Sequence, residues 1–269
     1  MRHSTAFPGR LLRVGLLGTL AFVAVACDDD DDDGTSPQDE QPPRPEFPIS
    51  DDQFRQALIT ARNDANGGLD LDMWGTIVDR TGTVVAVVFT GAGFGDQWPG
   101  SRVISAQKAN TANAFSLPGL ALSTANLYTA TQPGGSLFGL QESNPVNHDA
   151  AYGGDPAGYG TPDDYMVGRK IGGVNVFGGG VPLYDANGTL LGALGVSGDT
   201  SCADHNIAWK VRDILGLDHV PAGVSATGDD NIIYDISGGV SPSGFGHPQC
   251  SAEATTIGNN LPTSHPIGG

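Results

Sequence analysis

The sequence predicts an α+β domain: an antiparallel sheet of about five strands flanked by helices. Two observations carry this. Two pairs of apolar, β-branched runs are each joined by a short polar turn, at 79–82 and 185–188, and each pair reads as a hairpin. Helical periodicities surround these pairs rather than alternating with single strands, which excludes a doubly wound parallel sheet. Forty glycines in a chain that is 39% hydrophobic add many turns and long loops.

Ser50-Asp51-Asp52-Gln53 is a capping box, and Phe54, Ala57, Leu58, Ala61 and Ala65 follow at helical spacing. The first helix is therefore expected over 51–66, stopped by Gly67. The first hairpin pairs 73–79 with 83–89. Both arms are apolar over most of their length, so both faces should be covered. A helix over 101–116 carries Ala106, Ala109, Ala112 and Ala114, small enough to lie close against a sheet. A shorter helix is expected over about 120–131.

Residues 132–180 are rich in Gly, Pro, Asn and Asp; a loop this long is often functional. The second hairpin, 181–184 with 189–196, contains Asn187-Gly188, the strongest short hairpin signal. A last helix is expected over about 203–215. The tail from 217 to 269 is loop-like, with one apolar island, 231–236, that reads as an extra strand.

The start of the chain is not domain. Arg2, Arg10 and Arg13 precede an apolar stretch, 14–26, too short for a membrane span. This is an export signal over 1–26. Ala24-Val25-Ala26-Cys27 resembles the lipobox of bacterial lipoproteins, which implies a lipid on Cys27. Asp28 to Asp33 and a proline-rich run follow, so 27–46 is expected to be a disordered, lipid-anchored linker. The predicted location is the bacterial cell envelope, outside the cytoplasm and on either leaflet. The domain occupies 47–216, with the C-terminal extension tethered by Cys250.

The chain carries a formal charge of −17. Removing the leader's three arginines leaves ten basic against 30 acidic residues and no basic stripe, which argues against nucleic acid. Past Cys27 two cysteines remain, Cys202 and Cys250. In an oxidising compartment they are expected to pair, adding about 4 kcal/mol of stability.

VDRTGTVVAV, SRVISAQKANTANAF, GGGVPLYDANGTLLGALGVSG and ADHNIA occur in this order. Together they resemble the GlcG/HbpS family, also called haem-degrading or DUF336 domains, over about 50–216. Lys108-Ala109 and the GGGVP…GVSG…D pattern are the most specific features. The acidic residue usual after the last Asp is replaced by His205. The loop 141–173 and the tail are longer than usual. The resemblance implies a profilin- or PAS-like fold, a small planar or acidic ligand with haem leading, and a homo-oligomer in several members. No iron ligand carries over.

The corner 197–205 is the first candidate site. Ser201-x-x-Asp204 reads as a second capping box, with Asp204 on the positive end of the helix dipole. Alternatively, the backbone from Ser197 and Gly198 to Ser201 binds an anion, although Asp199 and Asp204 would repel it. His205 is an iron or metal ligand if it faces a pocket, otherwise a surface or interfacial residue; His148 is a weaker candidate. Lys108 either salt-bridges at its helix surface or meets an acidic ligand group, with Arg102 and Arg169-Lys170 as further cations. Gly178, Gly179 and Gly180 mark a pocket rim or a bulge. Ser197 lacks the final glycine of a nucleophile elbow, because Asp199 stands there.

The hairpins and alanine-lined helices are expected to enclose a hollow for a guest. Three classes stay open: a haem-binding domain, an enzyme acting on haem or a small organic acid, and a ligand-free interaction module.

Overall fold

A computed structural model describes residues 41–268. The expected export signal, Cys27 and most of the expected linker lie outside the described residues.

The capping box forms as expected: Ser50 Oγ accepts from Gln53 N, and Gln53 reaches back to the Ser50 N–H. It starts α1 (Asp51–Asn63), which ends at Asp64, before the expected Gly67. Next come β1 (Trp74–Asp79), β2 (Val84–Phe89) and α2 (Ser101–Phe115). The expected helix over 120–131 is only a 3-10 turn, Thr124–Leu127, running into the four-residue α3 (Tyr128–Thr131). In the long loop a single helical turn, α4 (His148–Tyr152), forms. β3 (Gly180–Tyr184), β4 (Leu190–Ser197), α5 (Ser201–Ile214) and α6 (Ala252–Ser264) complete the fold.

The sheet has four strands in the order β2-β1-β4-β3, every pair antiparallel. The strand expected at 231–236 does not form. Its backbone meets side chains and the turn at His247 instead of a ladder: Ile232 N lies 3.1 Å from His205 Nε2, and His247 N donates to Ile233 O. The tail supplies a helix, α6, that its glycine-rich sequence did not announce.

Both sheet faces are covered. Phe54 and Leu58 of α1 and Ile207 and Val211 of α5 pack on Ile77, Val85, Leu194 and Val196. On the opposite face, Ala106, Ala109 and Ala112 of α2 join Val78, Val87 and Ala193, and the long loop adds Met166 and Ile171. The expected hollow is therefore filled. Small side chains bring α2 so close that a Cβ on Gly195 would lie 1.9 Å from Ser105 O. Hydroxyls meet across the same interface, Thr76 Oγ1 to Ser105 Oγ at 2.7 Å.

Candidate functional site

The corner between β4 and α5 is a structural joint. Its cap is Thr200, whose Oγ1 accepts from Ala203 N, so Ser201 is the first helical residue rather than the expected cap. Asp199 accepts from Leu69 N and Leu71 N, clamping the segment before β1. The backbone donors proposed for an anion are partly spent: Asp199 N donates to Asp204 Oδ1 and Thr200 N to the Asp199 carboxylate. Ser197 pairs with Trp74 in the sheet, and a Cβ on Gly198 would lie 2.5 Å from Asp72 O. Cys202 and Cys250 are bridged, as expected.

Lys108 is buried, not at a helix surface. Its Nζ lies 2.6 Å from Asp204 Oδ2 and 3.1 Å from Val196 O. Burial raises the Asp204 pKa to about 6 against the pull of the Lys108 ammonium. Asp204 is thus an interior ion-pair partner as well as a residue of the first helical turn. Gly179, at φ +121°, fits beneath this pair, since a Cβ there would stand 2.4 Å from Val196 O and 3.0 Å from Lys108 Nζ. Gly180 sits equally close to the Lys108 carbonyl. These glycines serve close packing of α2 and α5 rather than a pocket rim.

Arg102 is also consumed inside. It makes two bonds to the Asp164 carboxylate, at 2.9 and 2.5 Å, and a third to Ala151 O. Its guanidinium carbon lies 3.6 Å from the centre of the Tyr159 ring. It fastens the long loop to α2. Arg169 is held by Tyr165 O at 2.7 Å.

His205 faces neither solvent nor a pocket. It is fully buried beneath the C-terminal extension, its Nε2 3.2 Å from Asn231 Oδ1, and burial holds its pKa down to about 3. His247 is buried as well: Gly178 N donates to its Nε2 at 3.3 Å, and burial lowers its pKa to about 4. Both are neutral at physiological pH.

The exposed histidine among the described residues is His148. It opens α4, capped by Asn147, whose side chain accepts from Ala150 N. Its ring lies 6.5 Å from that of Tyr152, one helical turn on and 62% exposed. Asn147 N donates to Ile171 O, and Val146 bridges Gly172 antiparallel. His148 and Lys170 each lie two residues from this bridge. Lys170 is exposed and has no ion pair or hydrogen bond through its side chain, whereas the other basic side chains among the described residues have protein partners.

Beside His148 opens a cleft of about 930 Å³, lined by Asp149, Gly153, Asp155, Thr161, Asp163 and Tyr165 among others. Tyr159 OH donates to Gly153 O on the rim and its ring meets that of Phe94, 41% exposed. The long loop thus carries an exposed imidazole at His148, an exposed ammonium at Lys170 and the rings of Tyr152 and Tyr159. In the sequence His148 and Lys170 stand as separate, weaker candidates than the corner, and the aromatic residues of the loop carry no signal. The bridge between Val146 and Gly172 joins the stretches that carry His148 and Lys170, and no local pattern signals it.

Residues 49–212 match a family model described as haem degrading protein HbpS-like. Among curated proteins nothing matches. Among solved structures, the chain is similar to Klebsiella pneumoniae protein ORFY, a DUF336 protein, at 24% identity, covering 62% of this chain and 89% of that one with a TM-score of 0.42. It is similar to PduOC, solved as a haem complex, at 24% identity over 62% and 94% of the two chains, TM-score 0.43. A double mutant of Streptomyces reticuli HbpS matches at 16% identity over 73% and 99%, TM-score 0.41.

Proposed function

This chain belongs to the HbpS-like family of haem degrading proteins, and we propose that it is a haem-binding domain whose site is the His148 surface of the long loop. Haem needs an axial donor for iron, aromatic or apolar contact, and cations for its propionates. The long loop carries residues of each kind. His148 offers the accessible imidazole, Tyr152 an exposed ring beside it, and Lys170, on the strand-like stretch bridged to Val146, an uncommitted ammonium. The carboxylates of Asp149, Asp155 and Asp163 line the adjoining cleft. They repel propionates, and Lys170 would be the residue to hold those groups. Haem, when bound, supplies the iron redox chemistry; the protein binds and orients it.

The observation that carries the reading is the exposed His148 with the exposed Tyr152 ring beside it, on the same loop as Lys170, the one cation without a protein partner among the described residues. Hemin titration of the purified chain tests it. A shifted, saturable Soret band is expected, weakened by Lys170→Glu. An unshifted band would overturn the reading.

The same proposal places the domain outside the cytoplasm on a lipid anchor at Cys27. Support comes from the apolar stretch ending at that cysteine, the acidic linker behind it, and a disulfide typical of oxidising compartments. Cys27→Ser should move the protein from the membrane to the soluble fraction. Unchanged membrane association would count against the anchor.

A further inference from the structure

The C-terminal extension builds a second cleft, away from the His148 surface. One wall is the segment from Tyr128 to Gly135, inside the family match; the other is Ile236 to Ser241 with Pro248, beyond it. The walls are pinned together. Thr129 Oγ1 donates to Gly246 O at 2.6 Å, the Tyr128 and His247 rings lie 5.3 Å apart, and the Cys202–Cys250 bridge anchors the same stretch.

The cleft measures about 490 Å³, within the range of small-molecule sites. Its lining is apolar surface from Tyr128, Pro133, Ile236, Val240 and Pro248, with neutral polar groups at Thr129, Gln132 and Ser241. No carboxylate, ammonium, guanidinium or imidazole lines it, in a chain with 30 acidic residues. The nearest acid in sequence, Asp235, is spent on Ser241 Oγ at 2.6 Å and Ser243 N at 2.9 Å. Gln132 is turned inward to Tyr128 O at 3.1 Å. A lining free of charge does not compensate a charged ligand for lost water, so it selects against ions.

We infer that this cleft is a second ligand site, taking an uncharged, largely apolar small molecule distinct from haem. The neutral fluorophore N-phenyl-1-naphthylamine, titrated into the full mature chain, tests the assignment. Saturable binding at one site is expected. Val240 is 66% exposed, so Val240→Glu leaves the fold intact while placing a charge on the rim. It should weaken binding by at least about tenfold, as should Gln132→Glu. His148→Ala should leave binding unchanged, and hemin should not displace the probe. Absence of saturable binding, equal affinity in both charged variants, or competitive displacement by hemin would overturn the inference.

Discussion

Lys108 Nζ stands 2.6 Å from Asp204 Oδ2 in the interior, although 96 residues separate them in sequence. The pair joins α2 to the start of α5 and rests on the strand between them through Val196 O. Each partner is about 3% exposed at the side chain. Removing one buried partner strands the other. Lys108→Met should therefore cost about 3–5 kcal/mol of unfolding free energy, measured by urea denaturation. A loss below about 1 kcal/mol, the worth of a surface pair, would show that the pair is not desolvated.

Acidification should destabilise the fold. His205 and His247 have folded pKa values lowered to about 3 and about 4, against 6.5 for the free side chain. Their stabilising contribution is present above pH 6.5 and is lost as pH falls through the folded values. Asp204, raised to about 6 from 3.8, works the other way: its contribution is present below 3.8 and is lost as pH rises through 6. Between pH 6 and 4 the unfolded chain thus takes up roughly one proton more, a slope of about 1.4 kcal/mol per pH unit. Melting temperature should fall across this window. His247→Gln, which keeps an acceptor for Gly178 N, should flatten the fall; an unchanged slope would exclude His247 as a source.

The bridge between Cys202 and Cys250 closes a separation of 48 residues. In the chain-entropy model this stabilises by about 4 kcal/mol. Reductant should lower the melting temperature. An identical transition with and without reductant would contradict the pairing.

The loop should loosen without Arg102. Its three hydrogen bonds to Asp164 and Ala151 hold the loop on α2. Arg102→Leu should speed proteolytic cleavage within 132–180 while the sheet's hairpins stay protected. Equal cleavage rates would show that the loop is held by its apolar contacts alone.

Both hairpins were legible because their turns are local chemistry. Asp185 Oδ1 accepts from Asn187 N and Thr189 N, and Asp79 does the same for Thr81 and Thr83. The capping box of α1 was legible for the same reason. α6 was not: Gly258 and Pro262 interrupt it and its apolar stripe is thin. It is fixed by Ser251 capping Ala254 N and by docking on α5, where Trp209 Nε1 donates to His265 O. The cations at positions 102 and 108 invited a ligand because their partners, Asp164 and Asp204, lie 62 and 96 residues away. His205 looked like a surface residue or a ligand because nothing in its own helix announces the tail that covers it.

The proposed haem site lies on the long loop, outside the packed interior. Soret spectra of hemin-loaded wild type, His148→Ala and His205→Ala, compared at equal concentration, test this most directly. His148→Ala is expected to lose the shifted band, and His205→Ala, where folded, to keep it. A band that survives in His148→Ala and disappears in a folded His205→Ala would contradict it.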